Sequence, residues 1–123
     1  MVNAKALVHS LLTGSTALTA LVPATSIKSI WPDVIANPPL IVHQITNSFV
    51  GDVDIFDDKP ISDAVSVDVH AYVATGKSTS AIFGAINTAM EGGGWNREGF
   101  IEMVDSETKI GHIVTRWGNV LYR

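Results

Sequence analysis

Residues 61–90 read ISDAVSVDVHAYVATGKSTSAIFGAINTAM, and the spacing of their apolar residues changes within the stretch. From Val65 to Val73 every second residue is apolar, which is typical of a strand with one buried face. After the polar residues 75–78, apolar residues recur at helical spacing, at Ile82, Ile86, Ala89 and Met90. The stretch therefore predicts a strand that leads through a short turn into a helix, with Val65, Val67, Val69 and Val73 facing that helix.

The turn in this stretch also fits a loose form of a phosphate-binding loop. Ala71–Ser78 ends in Gly-Lys-Ser and has alanine in place of the first glycine. A phosphate cradle requires small residues whose backbone N–H groups point inward, whereas Tyr72 and Val73 suit the preceding strand. A P-loop NTPase also requires a parallel sheet and a later acidic strand end, for which Phe100–Asp105 is the only candidate. We therefore interpret Lys77 as an exposed residue and keep nucleotide binding as an alternative function.

The remaining segments predict two further helices and four further strands. The first helix follows the N-cap candidate Asn3 and ends at Gly14, and the second is stopped by Pro23. Strands are expected at residues 27–31, 40–45, 100–104 and 110–122, whereas residues 47–63 show no regular period. The order ααβββαββ predicts an α+β fold in which helices pack on one face of a mainly antiparallel sheet. Residues 1–123 are expected to form a single domain.

The composition narrows the possible functions. A net charge of −4 argues against nucleic-acid binding, which requires a basic face. The absence of cysteine excludes disulfides and thiolate metal sites. A charged fraction of 16% is low and hints that a partner covers part of the surface. No apolar run reaches the ~7–15 residues of a secretory core or the ~18 of a membrane span, so we expect a soluble protein.

Histidine, serine and threonine residues do not form a recognisable catalytic pattern. His43, His70 and His112 fall on predicted strands and could converge on a metal ion, but they lack helical ligand spacing and a thiolate companion. His9 is expected on an exposed helix face. The sequence contains no G-x-S-x-G elbow or other nucleophile signature. We therefore expect neither enzymatic activity nor a metal or other cofactor.

The segment from Val50 to Pro60 combines carboxylates with two apolar side chains. It lacks the ordered ligand spacing of a dedicated calcium loop. We see two interpretations: a solvated acidic surface loop, or a loop that docks on a neighbouring subunit through its apolar residues. The second interpretation makes the following residues candidates for an assembly interface: Asp52, Asp54, Ile55, Phe56, Asp57 and Asp58.

Apolar residues and prolines occur in a characteristic order over nearly the whole chain. The segments that carry this order are Leu11-Leu12, residues 17–22, Ile30-Trp31-Pro32, residues 38–42, Val65–Val69, the helix Ala81–Met90, and the closing strand Ile113–Tyr122 with Arg116. Together they resemble the tail-completion family of long-tailed bacteriophages. Members of that family are similar in fold to the tail terminators of lambda-like phages.

The resemblance implies a structural virion protein without enzymatic activity. Such a protein forms a ring, usually of six subunits, at the head-proximal end of the tail tube, where it ends tube polymerisation and joins the tail to the head connector. Its partners would be copies of itself, the major tail tube protein and the head-completion or connector protein. DNA would only pass through the channel, and no membrane would be involved. The expected location is the virion tail or neck, and the host cytoplasm during assembly. Another neck or minor tail component with the same fold remains an alternative.

Overall fold

The computed structural model describes residues 3–29, 38–50, 55–56, 59–60, 62–74, 79–104 and 109–122. Within these ranges, residues 47–50, 55–56, 59–60, 62–63 and 122 are described by their backbone alone.

Three α-helices lie in the described ranges, and local capping explains where two of them begin. They are α1 (Ala4–Thr13), α2 (Thr16–Thr19) and α3 (Thr79–Gly92). The Asn3 side chain accepts a hydrogen bond from the Ala6 N–H at 3.0 Å, and Ser15 Oγ accepts one from the Leu18 N–H at 3.2 Å. Both contacts satisfy N–H groups that a helix start leaves unpaired. No helix in these ranges combines the length and apolar character needed to cross a bilayer.

The principal sheet has five strands in the order β1-β2-β5-β7-β6. The strands are β1 (Ile27–Lys28), β2 (Leu40–Val50), β5 (Ser62–Val73), β6 (Asn96–Val104) and β7 (Gly111–Tyr122). Only the β1–β2 pair is parallel, and the pairs β2–β5, β5–β7 and β6–β7 are antiparallel. Two short strands, β3 (Ile55–Phe56) and β4 (Lys59–Pro60), form a separate antiparallel ribbon. The predicted α+β class with a mainly antiparallel sheet is therefore confirmed.

Several predicted boundaries are wrong because side-chain periodicity does not report backbone pairing. The strand β2 continues to Val50 instead of ending near residue 45, and β5 begins at Ser62 within the stretch expected to be irregular. A register shift between Ile45 and Asn47 interrupts the alternation of β2, although its hydrogen bonding to β5 continues. The strand β6 begins at Asn96, four residues before the predicted start, and its shift lies between Arg97 and Gly99.

The core lies between the helices and one face of the sheet, as the alternating stretch predicts. Every second residue of β5 from Val65 to Val73 is buried, together with Ile82, Ile86 and Met90 of α3. On β7, Trp117 is fully buried, and its Nε1–H donates to Thr115 Oγ at 2.8 Å. The buried indole N–H is thus satisfied within the core.

The fold predicts that Val67→Asp unfolds the protein or costs roughly 3 kcal/mol or more, because it removes a buried apolar group and places a charge in the core. The matched control is Val120→Asp, since Val120 is 44% exposed on β7 and its substitution should cost less than about 1 kcal/mol. Urea unfolding followed by circular dichroism measures both. A Val67→Asp variant with the stability of the parent chain would show that the assignment of faces is wrong.

Candidate functional site

The sequence-predicted acidic segment is only partly described. Ile55 and Phe56 form β3, which pairs with Pro60 and Lys59 of β4, so the segment contains a two-stranded ribbon. Four of the six candidate interface residues, namely Asp52, Asp54, Asp57 and Asp58, lie outside the described residues. The assembly role of this segment therefore stays a prediction.

The phosphate-loop candidate begins inside the central strand. Ala71 and Val73 are buried residues of β5, and residues 75–78 lie outside the described ranges. Both neighbours of β5 in the sheet, β2 and β7, run antiparallel to it. A P-loop normally follows a strand of a parallel sheet, so this part of the fold does not provide the usual surroundings of that motif.

The most exposed apolar surface of the described residues belongs to the edge strand β6. This strand pairs with β7 on one side only, and all nine of its residues are exposed. Its large apolar side chains are exposed as follows: Phe100 53%, Ile101 61%, Met103 46% and Val104 60%. An edge strand presents a row of backbone N–H and C=O groups that another strand can bind. Length, apolar character and exposure together make β6 a candidate assembly edge.

On the side of β6 that faces the helices, two charged residues lie on either side of Phe100, whose ring packs against Phe83 of α3. The rings of Phe83 and Phe100 lie 5.0 Å apart, and the Arg97 guanidinium carbon lies 5.3 Å and 5.6 Å from their centroids. Further along the strand, Glu102 accepts a hydrogen bond from Thr79 Oγ at 2.6 Å, at the start of α3. Neither Arg97 nor Glu102 forms an ion pair with another described residue. Both charges thus remain able to bind a partner.

The opposite face of the sheet holds the one ion pair of the described residues. Arg116 Nε and Nη2 donate to the two carboxylate oxygens of Asp68 at 2.9 Å and 3.2 Å. These hydrogen bonds raise the pKa of Arg116, with smaller contributions from the charges of Asp68 and Glu98. Asp68 is buried, so the bidentate contact satisfies a carboxylate that burial would otherwise penalise. The pair links β5 to β7 across directly opposed positions.

A shallow concavity of about 290 Å³ lies beside this ion pair. Its lining includes Asp68, Glu98, Ile101, Val114 and Arg116. The concavity mixes both charge signs with aliphatic side chains, and Asp68 already engages the guanidinium of Arg116. The Asp68–Arg116 pair connects β5 and β7 next to β6, and it is not a pair of a nucleophile and a base.

The four histidines form two separate pairs on opposite faces of the sheet. His9 Nδ1 lies 3.0 Å from His43 Nε2 on the helix side, and His70 Nδ1 lies 3.1 Å from His112 Nε2 on the other side. Three imidazoles do not converge, and the described residues contain no group of three or more ligand-type side chains able to hold a metal. His9, which was expected on an exposed helix face, is half-buried because it contacts the buried His43 of β2.

Burial makes His43 the most perturbed imidazole of the described residues. Desolvation, followed by the charges of His9 and Lys5, lowers the pKa of His43 to about 4. Burial also lowers the pKa of His112 and, together with His112, the pKa of His70. The ring of Tyr72 stacks on His112 with centroids 4.2 Å apart. All three perturbed histidines are therefore neutral at physiological pH, as buried structural imidazoles are.

The sequence predicted the strand that contains residues 100–104 but missed its importance as an exposed edge. Phe100, Ile101, Met103 and Val104 are apolar on both faces of one strand, with only Glu102 between them. A strand with one solvated face alternates apolar and polar residues, so the apolar residues on both faces of β6 were the signal that a partner could cover this strand. No protein-family model matches the chain, and a search of curated proteins finds no match either.

The lowered pKa of His43 predicts a loss of stability in acid. Below pH 6.5 the unfolded chain binds a proton at this position that the folded chain does not bind until about pH 4. The free energy of unfolding should therefore fall between pH 6.5 and about 4, by about 3 kcal/mol from this residue. Urea unfolding of the parent chain and of His43→Gln across this range tests the effect. An equal loss in both proteins, or an NMR titration of His43 near pH 6.5, would contradict it.

Proposed function

We propose that the chain is a structural subunit of a bacteriophage tail, which assembles with copies of itself into a ring at the head-proximal end of the tail tube. The observation that carries the assembly role is the exposed apolar edge strand β6. The phage assignment and the number of about six subunits come from the resemblance of the sequence to the tail-completion family. The ring ends tube polymerisation and provides the surface that joins the head connector.

An edge of this kind favours assembly over an isolated monomer for a physical reason. Natural sheet proteins protect their edges with lysine, proline, short strands or covering loops. The strand β6 contains neither lysine nor proline, and beyond its bulge at Glu98 the residues 99–104 form a regular edge that exposes four large apolar side chains. Covering these side chains removes apolar area from water, and pairing the backbone satisfies its outer hydrogen-bonding groups. A subunit that spends its functional life in an assembly gains from both.

The proposed partners follow from the position of the ring. Copies of the same chain form it, the major tail tube protein lies on one side, and the head-completion or connector protein lies on the other. In this proposal the protein is not an enzyme, carries no cofactor, and contacts DNA only while the genome passes through the channel. It resides in the virion, and in the host cytoplasm during assembly.

The acidic segment receives a specific role in this arrangement. Ile55 and Phe56 dock on a neighbouring subunit or on the tail tube, and the nearby aspartates border the channel. Negative charge there repels DNA phosphates and keeps the genome from sticking during passage. The repulsion is screened over ~8 Å at physiological salt, so it acts only on side chains close to the duplex.

Loss of this protein should change the length of the tail tube. A phage that lacks this protein should produce tubes longer than normal, because nothing ends polymerisation, and complementation should restore the length. Electron microscopy measures tube length, and quantitative mass spectrometry of purified tails should count about six copies per tail. A single copy per tail would rule out the ring. Tubes of normal length without heads, with antibody labelling elsewhere in the neck, would instead favour another neck component.

Assembly should also change the hydrogen exchange of the segment from Val50 to Pro60. If it docks during assembly, its amide hydrogens should exchange more slowly in assembled tails than in the free chain. Hydrogen exchange read by mass spectrometry compares the two states, and the α3 segment, which is already packed in the free chain, serves as the internal reference. Equal exchange of Val50–Pro60 in both states would show that the segment makes no assembly contact and is a solvated acidic loop.

A further inference from the structure

The edge strand β6 is complementary in charge to a second copy of itself. Arg97, Phe100 and Glu102 pair with Trp117, Thr115 and Ile113 of β7, which are core positions, so all three lie on the helix side of the sheet. The register shift between Arg97 and Gly99 makes Glu98 the additional residue of a bulge. Along the strand, Arg97 and Glu102 therefore lie equally far from Phe100 on its two sides. One is positive, the other negative, and neither forms an ion pair with a described residue of its own chain.

We propose that the free protein forms a two-fold dimer in which β6 pairs antiparallel with the β6 of a second copy, with the symmetry axis at Phe100. The five-stranded sheet then continues into a ten-stranded one, with the helices of both copies on the same side. A two-fold contact is self-complementary, so each favourable contact occurs twice.

The axis at Phe100 brings opposite charges directly across from each other. Arg97 lies opposite Glu102 of the second copy and Glu102 lies opposite its Arg97, at the ~4.5–5.5 Å Cβ separation of directly opposed residues. The two Phe100 rings meet at the axis. On the other face, Gly99 has no side chain and leaves room for the second copy's Ile101. Exposed aromatic and aliphatic groups of β6 thus lose water while its outer backbone groups gain hydrogen bonds.

Neighbouring symmetric registers lose the charge pairs. An axis at Ile101 places Arg97 opposite the second copy's Val104, and an axis at Gly99 places it opposite the second copy's Phe100. An axis at Glu102 sets two carboxylates against each other, which is destabilising. A shift of one strand by a single residue would set helix-side residues of one copy opposite residues on the other face of the second copy. Such a register cannot form, because directly opposed residues point to the same face of a sheet. The axis at Phe100 is therefore the favoured symmetric register.

The dimer has a consequence that rests on the proposed function. A two-fold contact is complete after two copies. It cannot by itself build a ring in which all subunits have the same orientation, because such a ring requires head-to-tail contacts. Since the ring also covers β6, the dimer is the form in which free subunits keep this edge protected, and it separates when subunits join the tail tube. In the free protein the dimer contact covers β6 and so prevents further chains from adding to this edge.

Charge reversal tests the register on the purified full-length chain. Analytical ultracentrifugation from about 1 to 100 μM should give a dimer for the parent chain, and Arg97→Glu or Glu102→Arg alone should raise the dimer Kd at least about tenfold. The double variant Arg97→Glu/Glu102→Arg restores both pairs with reversed sign and should recover most of the affinity. Glu91→Arg, an exposed position at the end of α3, is the matched control and should leave Kd unchanged. A monomeric parent chain, or a double variant no tighter than the singles, would overturn the proposal.

A single introduced cysteine gives a second test, because the chain contains none of its own. Phe100→Cys lies at the axis, where the Cα atoms of the two copies come within disulfide range, so oxidation should give a covalent dimer. Val104→Cys, equally exposed but far from the axis, should cross-link much less. Equal cross-linking of both variants would exclude this register. Rings on assembled tails together with a monomeric free chain would overturn the dimer alone, whereas a dimer without any copy in tails would overturn the proposed function alone.

Discussion

The contact between the valine face of β5 and α3 determines how the rest of the molecule is arranged. The strand β5 is central, with β2 and β7 paired along most of its length. Val65, Val67 and Val69 face the helices. Because successive side chains of a strand point to opposite faces, Ser66, Asp68 and His70 lie on the other side of the sheet. The antiparallel register then sets Arg116 directly opposite Asp68 and places Trp117 in the core opposite Val67. Burial of a few β-branched side chains thus fixes which polar groups can meet.

The same constraint explains the two histidine pairs. His43 lies two residues after the buried Ile41 on β2 and points to the same face of the sheet, where α1 packs. Its Nε2 therefore lies 3.0 Å from Nδ1 of His9. His70 has the parity of Asp68 and meets His112 on the other face. Each pair joins two separate elements through a contact between two ring nitrogens, in which the tautomers decide which nitrogen donates. Because burial disfavours the charged forms, these contacts are compatible with neutral pH and opposed by acid.

The sequence allowed the class of the fold to be predicted but not its edges. The change of period between Val73 and Ile82 correctly predicted a strand followed by a helix, because both elements bury one face against the other. Periodicity failed around Asn47, where a register shift interrupts the alternation while pairing continues. It predicted the pairing of the last two strands, which is confirmed, but it did not show that β6 lies at the edge of the described sheet, since strand order depends on the whole chain. Arg97, Phe100 and Glu102, the residues proposed to pair two copies, were missed for that reason, whereas the aspartates predicted at the assembly interface fall outside the described ranges.

The proposed dimer and the proposed ring can share one strand because a subunit makes a different number of contacts in each. A subunit in the proposed dimer is held by one contact, so its occupancy follows the free concentration and Kd. A subunit in the proposed ring would contact two neighbours and the tube, and each further contact would form at an effective concentration in the millimolar range. A dimer that pairs through β6 with a micromolar Kd would then cover the edge in solution and still dissociate when its subunits join the proposed ring. Much tighter pairing would withhold subunits from the tube end, so the modest energy of two exposed ion pairs suits a reversible contact.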